Sequence, residues 1–218
     1  MSRLYLHDHC PLCVRTRMVA HYRQVDDLEP VMLAYDDEVT CQRLAGGKVL
    51  PIFEHQGIAI VESMAIARLL DDLGAGVRRL RPLQLSEAIL PQLQSVEAST
   101  RALTFARVTR IGLPEFATES ARDYFRVKKE VLLGHSFEQA LADTAPHQAA
   151  VEAVLAQLPA LTLPSEQDDT LSWNDVMNFP PLRSLTLVDG LTLPPRLRQW
   201  LEEVAALAGV ELYFDRAI

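Results

Sequence analysis

The sequence contains very little cysteine. Only three cysteines occur among 218 residues, at positions 10, 13 and 41. Three thiols cannot form the network of disulfides that stabilises many small secreted domains, so the chain must fold around an apolar core. A chain of this length can bury two such cores.

Long apolar segments are also missing. No run approaches the roughly 18 to 20 apolar residues that cross a bilayer, although 49% of the residues are hydrophobic. The first residues, Met1 to His9, contain no apolar segment followed by a small-residue cleavage site of the kind that directs export. We therefore expect a soluble globular protein of the cytoplasm that does not associate with a membrane.

Positive charge is scarce. The chain has 21 Lys and Arg against 29 Asp and Glu, which gives a formal net charge of −8. Because proteins bind nucleic acid through clustered Lys and Arg, this balance disfavours nucleic acid as a partner. The one basic cluster, Arg78 and Arg79 with Arg81, is short and typical of a solvated linker. Internal repeats and low-complexity tracts are absent.

The most informative feature that is present is a pair of thiols in Cys10-Pro11-Leu12-Cys13. The pair lies between a short apolar run and a stretch with helical spacing, so Cys10 is predicted to precede the first turn of a helix. The free N–H groups and partial positive charge of a helix N-terminus stabilise a thiolate, which lowers its pKa. Pro11 suits the first helical position. The pattern therefore predicts a thioredoxin-like redox motif in which Cys10 is the nucleophile and Cys13 can form a disulfide with it.

Two other interpretations of this segment remain open. His7 and His9 flank the pair, and four nitrogen and sulfur ligands within seven residues can in principle bind zinc or copper. Pro11 at a helix start argues against the turn that such a metal site needs. Without a metal, the histidines are expected to be polar residues at the rim of an exposed loop. The other interpretation makes Cys10 and Cys13 unreactive buried thiols.

The first third of the chain predicts the element order β-α-β-α-β-β-α. Hydrophobic periodicity indicates strands over residues 3–6, 30–33, 49–54 and 58–61, and helices over residues 11–23, 36–45 and from 62 up to Gly74. Pro51 interrupts the third strand. Since proline donates no hydrogen bond to a ladder, it requires an edge position or a special conformation.

Residues 74–83 combine glycine, arginine and proline, and this composition predicts a linker. The remaining residues, 84–218, are expected to be all-α. Helical spacing occurs over residues 85–110, 119–133, 137–143, 147–158 and 194–207.

One further helix is predicted over residues 173–188. Ser172 and Asp175 resemble a capping box, with Asp in place of the usual Glu or Gln, and would start this helix. Pro180 and Pro181 lie inside it and predict a kink.

A resemblance to a known family depends on several short motifs, which are Asp8-His9-Cys10-Pro11 with Cys13, Leu50-Pro51-Ile52, Glu62-Ser63-Met64, Tyr124-Phe125 with Lys128-Lys129-Glu130, Phe179-Pro180 with Leu182-Arg183, Leu185-Thr186-Leu187-Val188, and Ala217-Ile218. With these motifs the chain resembles the bacterial glutaredoxin 2 family over essentially its full length. The resemblance implies an α/β plus all-α fold with a glutathione-transferase-like architecture. A thioredoxin-like glutaredoxin domain (residues 1–73) would be joined by a linker (74–83) to a helical C-terminal domain (84–218).

The same resemblance implies a binding site for glutathione. Pro51 is implied to be the cis-proline of the fold, facing Cys10, and the backbone of Leu50 is implied to pair with the cysteinyl part of glutathione. Glu62 and Ser63 are implied to bind the γ-glutamyl end at the positive end of the third helix. The alternative for Ser63 is ordinary N-capping.

The chain departs from the family pattern in two places. Leu12 stands where glutaredoxins commonly have tyrosine, so a contact from that side chain to glutathione is lost. Pro181 adds a second proline to the capped helix and affects its local geometry. Cys41, on the second helix, has no partner at motif spacing and is interpreted as a free structural thiol.

The sequence therefore predicts a glutathione-dependent thiol–disulfide oxidoreductase. The Cys10 thiolate would reduce glutathionyl mixed disulfides, and Cys13 would complete the reduction of protein disulfides. Glutathione is the expected reductant and co-substrate, and the expected partners are glutathionylated proteins or small disulfides. We expect a monomer without a bound metal.

Two alternative functions fit parts of the same sequence. A cysteine-type glutathione transferase or dehydroascorbate reductase shares the two-domain shape, but commonly works with one active-site cysteine, and Cys13 speaks against it. A non-catalytic, transferase-like binding protein is the alternative from another class, and the presence of the nucleophile Cys10 speaks against it.

Overall fold

The computed structural model describes residues 1–76 and 78–218. We call residues 1–73 the sheet region and residues 84–218 the helical region. The strands of the sheet region are β1 (Ser2–Leu6), β2 (Leu28–Met32), β3 (Ile52–His55) and β4 (Ile58–Ile60), and its helices are α1 (Pro11–Tyr22), α2 (Glu38–Ala45) and α3 (Ser63–Leu73). The predicted order of elements is confirmed. The third strand, however, begins at Ile52, one residue after Pro51, where a proline no longer interrupts its hydrogen bonds.

The four strands form one sheet in the order β2-β1-β3-β4. β1 and β2 are parallel, and the other two pairs are antiparallel. Because alternate side chains of a strand point to opposite faces, Leu4 and Leu6 pack with α1 and α3, while Tyr5 packs with Cys41 of α2. The sheet is therefore covered on both faces, in the thioredoxin-like arrangement, and the C-terminal end of β1 leads directly to Cys10.

The helical region contains α4 (Leu90–Gln94), α5 (Glu97–Val108), α6 (Glu119–Leu133), α7 (Phe137–Ala142), α8 (Thr144–Leu155), α9 (Trp173–Leu185) and α10 (Pro195–Ala208). The expectation of one helix over residues 85–110 is wrong. Pro91 starts a new helix because proline suits a first turn and restricts the residue before it. A second break follows Gln94, where the Ser95 hydroxyl donates to the Gln92 carbonyl at 2.6 Å.

The start of α9 confirms the predicted capping box. Ser172 Oγ accepts the N–H of Asp175 at 3.1 Å, and the Asp175 carboxylate accepts the N–H of Ser172 at 2.7 Å. The same carboxylate accepts the indole N–H of Trp200 in α10 at 3.0 Å. The helix runs through both prolines and ends at Leu185, three residues earlier than predicted. The kink at the prolines stays a prediction.

The two regions share one continuous apolar core. α1 packs against α3 on one side and against α9 and α10 on the other. Between the regions, Arg81 forms an isolated β-bridge with Ser172, and no helix or regular strand occurs in residues 74–76 and 78–83. Val77, inside the predicted linker, lies outside the described residues. The boundaries at 73 and 84 stay predictions. Among the described helices, none has the length and apolarity needed to cross a bilayer.

Candidate active site at the start of the first helix

A cleft of about 680 Å³ lies between the sheet region and the helical region. His7, Cys10 and Leu50 line it from the sheet region. The opposite wall comes from α4, α5, α6, α9 and the C-terminal segment, and includes Leu93, Phe105, Lys129, Leu185 and Tyr213. A cysteine at the end of a strand therefore faces a pocket that both regions build.

Cys10 occupies the N-cap position of α1, with Pro11 as the first helical residue. Its side chain is partly exposed, whereas Cys13, one turn further, is fully buried and accepts the His7 N–H at 3.5 Å. All three cysteines are free thiols. Because Cys10 lines the cleft and Cys13 lies behind it, the first thiol is open to a ligand and the second is reached only through the first.

The two thiols have opposite pKa shifts. A hydrogen bond from Cys13 is the largest cause that lowers the pKa of Cys10 to about 6; burial opposes it, and the charge of His9 and the N–H groups of Cys13 and Leu12 lower it further. Burial, followed by the interaction with Cys10, raises the pKa of Cys13 well above its ordinary value. Near neutral pH the pair therefore holds one thiolate, on Cys10, and one thiol, on Cys13.

The two histidines before the motif do not lie at the rim of an exposed loop, as one interpretation expected. His7 is 6% exposed, and its ring stacks on that of His9 with centroids 5.7 Å apart. Burial, with the charge of His9, lowers the pKa of His7 to about 4, so His7 is neutral at physiological pH. Tyr35 packs against both rings, and Phe125 makes an edge contact with the ring of His9.

His9 contacts a carboxylate from the helical region. Glu115 is completely buried, and its Oε1 accepts the backbone N–H of His9 at 2.9 Å and lies 2.6 Å from the ring Nδ1. Burial raises the pKa of Glu115, but the hydrogen bond and charge of His9 outweigh it and the net direction is down. His9, the residue before the nucleophile, is thus held by a carboxylate 106 positions away in the sequence.

Asp8 forms a second link between the regions. Its carboxylate accepts hydrogen bonds from Arg183 at 2.7 Å, Tyr213 at 2.6 Å and Arg17 at 2.5 Å, and its carbonyl accepts a second one from Arg183 at 2.8 Å. Burial raises the pKa of Asp8, but the two guanidinium groups outweigh it and hold the pKa well below its usual range. The loop that carries Cys10 is therefore fixed by α9 and the C-terminal segment.

The residues implied for glutathione binding flank Cys10 in different ways. Leu50 lines the cleft with Cys10, and the Leu50–Pro51 bond is cis, as predicted. Glu62 is the N-cap of α3, and its carboxylate accepts the N–H groups of Met64 and Ala65. The alternative in which Ser63 caps this helix is therefore wrong. Ser63 is buried, and its N–H makes no hydrogen bond to a described residue.

Arg15 is a site residue that the sequence reasoning missed. It lines the cleft one helical turn and a half beyond Cys10, and its guanidinium interacts electrostatically with Cys10 and Glu62. Its Nε is buried without a hydrogen-bond partner among the described residues. The cleft therefore contains an unsatisfied cationic donor that interacts with both the nucleophile and the N-cap of α3.

A metal centre was an alternative use of the same segment. In residues 1–76 and 78–218, no group of three or more His, Cys, Asp or Glu side chains is arranged to hold a metal ion. His9 instead contacts Glu115, and Cys13 accepts a backbone N–H.

Comparison with known proteins agrees with this geometry. The family model described as "Glutaredoxin 2, C terminal domain" matches residues 88–217. Glutaredoxin 2 of Escherichia coli (strain K12) is 32% identical over 218 residues, which cover 99% of this chain and 100% of the relative. The chain belongs to the glutaredoxin 2 family.

A solved structure of a glutaredoxin 2 is similar along the whole chain. The glutaredoxin 2 of Salmonella typhimurium, determined in complex with glutathione, has a TM-score of 0.88 and 31% identity, and the match covers 100% of this chain and 99% of that one. A glutathione transferase of Phanerochaete chrysosporium has a TM-score of 0.67 at 18% identity, covering 94% and 96% of the two chains. That second likeness shows the shared glutathione-transferase fold.

The sequence of this glutaredoxin 2 family member indicates the two thiols but not the residues that hold the loop around them. Glu115 and Arg183 lie 106 and 175 positions from the residues that they bind. A single sequence contains no signal for such a pairing. Arg15 carried a weak signal, because an arginine soon after a redox cysteine on the same helix can face the same site.

Proposed function

We propose that this protein is a glutathione-dependent thiol–disulfide oxidoreductase whose substrates are glutathionyl mixed disulfides and protein disulfides. The observation that carries the proposal is the state of Cys10. It caps α1, opens on a cleft between the two regions, and has a pKa lowered to about 6, with a protonated Cys13 directly behind it. A stable thiolate next to a thiol is what disulfide exchange requires.

The proposed one-thiol route needs only Cys10. Its thiolate attacks the glutathione sulfur of a mixed disulfide; the new bond joins Cys10 to glutathione, and the substrate sulfur leaves as a thiolate. A second glutathione thiolate attacks the glutathionyl sulfur on Cys10, which gives glutathione disulfide and restores the Cys10 thiolate. The net reaction converts the mixed disulfide and one free glutathione into the substrate thiol and glutathione disulfide, and the protein is unchanged.

The proposed two-thiol route uses Cys13 to reduce protein disulfides. Cys10 first attacks the protein disulfide and forms a mixed disulfide with one of its sulfurs. Cys13 then loses its proton and attacks the Cys10 sulfur, which releases the second substrate thiolate and leaves a Cys10–Cys13 disulfide. The interaction with Cys10 contributes to the raised pKa of Cys13. That contribution ends once Cys10 carries no charge, so Cys13 becomes a better nucleophile when it is needed.

The proposed glutathione site extends from Leu50 to α3. The backbone of Leu50, which makes no hydrogen bond to a described residue, would pair with the cysteinyl part of glutathione beside cis-Pro51. The γ-glutamyl carboxylate would meet the free N–H and hydroxyl of Ser63 at the positive end of α3. Arg15 would supply the counter-charge that the nearby Glu62 carboxylate requires.

Further parts of the proposal concern the protein's setting. We propose a monomer that acts in the cytoplasm on glutathionylated proteins or small disulfides. Three free thiols suit a reducing compartment. The proposal also retains the domain division at residues 73 and 84; α3 ends at Leu73, and the family match begins at residue 88.

Intact mass spectrometry of the Cys13→Ser variant after exposure to oxidised glutathione tests this function. The expected result is one glutathionyl adduct, mapped to Cys10, which one equivalent of reduced glutathione removes. Cys10→Ser is the matched control and should form no adduct at position 10. Cys41 should stay unmodified in both variants, because it is buried and burial raises its pKa.

Two outcomes would contradict the proposal. If Cys13→Ser loses glutathione-coupled reduction of a mixed disulfide as completely as Cys10→Ser does, the one-thiol route is wrong. If Cys10 forms no adduct while the protein rapidly conjugates glutathione to an electrophile, the protein is a transferase.

A further inference from the structure

The proposed exchange reaction leaves one buried acid without a role. Glu115, which follows α5 in a short 3-10 turn, is 0% exposed and lies beside the loop that carries Cys10. One of its carboxylate oxygens holds His9 through the ring Nδ1 and the backbone N–H. The other oxygen is buried without a partner among the described residues. A carboxylate in such a place is very unfavourable unless a positive charge compensates it.

His9 is the basic side chain that contacts Glu115. Within the described part of the chain, Glu115 has one ion-pair partner, which is His9. His7 also faces Glu115, but burial lowers its pKa to about 4, so it carries no charge near neutrality. Tyr35 packs on the His9 ring with its pKa raised to about 12 by burial, and is neutral as well.

Aromatic contacts also hold the His9 ring in place. Its centroid lies 5.0 Å from that of Phe116 and 5.5 Å from that of Phe125, besides the contacts with Tyr35 and His7. These rings exclude water, which strengthens the interaction between His9 and Glu115.

We propose that Glu115 is a positioning residue that holds the His9 ring next to Cys10, so that the helical region sets the reactivity of the active-site thiolate. The inference deepens the proposed function. Glu115 touches neither sulfur and acts through His9, whose positive charge stabilises the thiolate of the following residue. Removing the carboxylate should release the His9 ring, and the Cys10 thiolate should then lose its interaction with His9.

Other charges around the pair act on the same thiols. Arg15 and Lys129 interact favourably with the Cys10 thiolate from α1 and α6. The charge of Glu115 itself opposes ionisation of Cys13 and of Tyr213. Among the neighbouring charges, His9 has the largest effect on Cys10. We therefore expect the loss of the interaction between His9 and Cys10 to outweigh the loss of the negative charge of Glu115.

The test measures the pKa of Cys10 in the reduced full-length protein, from the rate of alkylation against pH, with the modified residue identified by mass spectrometry. Glu115→Gln and His9→Gln are each expected to raise this pKa by about one pH unit, the usual effect of an adjacent opposite charge. The double variant should shift it no further than either single variant, because both remove one interaction. Glu202→Gln removes an equal charge from an exposed pair on α10 and should leave the pKa unchanged.

A structural role alone would give a different pattern. The inference is overturned if Glu115→Gln leaves the Cys10 pKa unchanged, or if the effects of Glu115→Gln and His9→Gln add. Glu115→Asp keeps the carboxylate, so the pKa of Cys10 in this variant is expected to stay close to its wild-type value. If Glu115→Gln does not fold, the inference rests on His9→Gln, and an unchanged pKa in that variant overturns it.

This readout is independent of the proposed function. Alkylation needs no glutathione, so a shifted pKa together with no glutathionyl adduct on Cys10 would contradict the oxidoreductase and leave the role of Glu115 in place. An adduct on Cys10 together with an unshifted pKa would support the oxidoreductase and contradict the role of Glu115.

Discussion

Asp8→Asn is the substitution expected to damage the link between the two regions most. The Asp8 carboxylate is 16% exposed and accepts hydrogen bonds from Arg183, Arg17 and Tyr213. Arg183 is only 2% exposed, so the substitution leaves a buried guanidinium without its carboxylate. Removing one partner of a buried ion pair lowers the free energy of unfolding by about 3–5 kcal/mol. Asn retains an oxygen that can accept one of these hydrogen bonds, so we expect a loss near 3 kcal/mol.

Urea unfolding of the reduced protein measures this loss. Asp123→Asn is a suitable control, because Asp123 forms an exposed pair with Arg126 on α6, and it should change the free energy of unfolding by less than about 0.5 kcal/mol. A loss below about 1 kcal/mol for Asp8→Asn would refute the reasoning, since it would show that Arg183 finds equal compensation without the carboxylate.

The pH dependence gives a second check on Asp8. Its pKa in the folded protein lies below the ordinary value of 3.8. The carboxylate therefore contributes its full stability above that ordinary value, and the contribution is lost as the pH falls towards the folded-state pKa. The difference between wild type and Asp8→Asn should be constant from about pH 5 to 8 and should shrink below about pH 4. A difference that grew on acidification would contradict the sign of the shift.

Three further predictions concern single residues. Cys13→Ala should raise the pKa of Cys10, because it removes the largest lowering contribution, and Cys13→Ser should raise it less; alkylation rates against pH compare them. Gly74→Ala should lower the free energy of unfolding, measured in urea, by about 1–3 kcal/mol, because the added Cβ would lie 2.6 Å from the carbonyl oxygen of Arg23. Gly47→Ala is the control and should be neutral, because a Cβ at Gly47 would have no neighbour within 4 Å. Ser63→Ala should raise the KM for glutathione several-fold, as expected for a lost hydrogen bond of about 1 kcal/mol, without destabilising the fold, because another residue caps α3.

The sheet region could be predicted well because its signals are local. Alternating apolar residues placed the strands, and Pro11 after a cysteine placed the start of α1. The capping box at Ser172 was also a local signal and located α9 correctly. The break between α4 and α5 was missed, since Ser95 and Pro91 act through hydrogen bonds and sterics that periodicity does not register.

The candidate site was only partly predictable. Cys10 and Cys13 carry their chemistry in their spacing, and cis-Pro51 followed from the family resemblance. The surroundings of the histidines were not visible, because their burial depends on side chains such as Phe125 that reach them from distant elements. Whether Ser63 or its neighbour caps α3 also depended on side-chain geometry that the sequence leaves open.

The ionisation of Cys10 tests the central claim most directly. In the wild-type protein under reducing conditions, the rate of alkylation mapped to Cys10 should reach half its maximum at about pH 6, the pKa that the site gives to this thiol. Cys13 and Cys41 are buried, and their pKa values are raised, so they should not react in this range. A half-maximum at pH 8 or above would mean that Cys10 is an ordinary thiol, and would contradict the account.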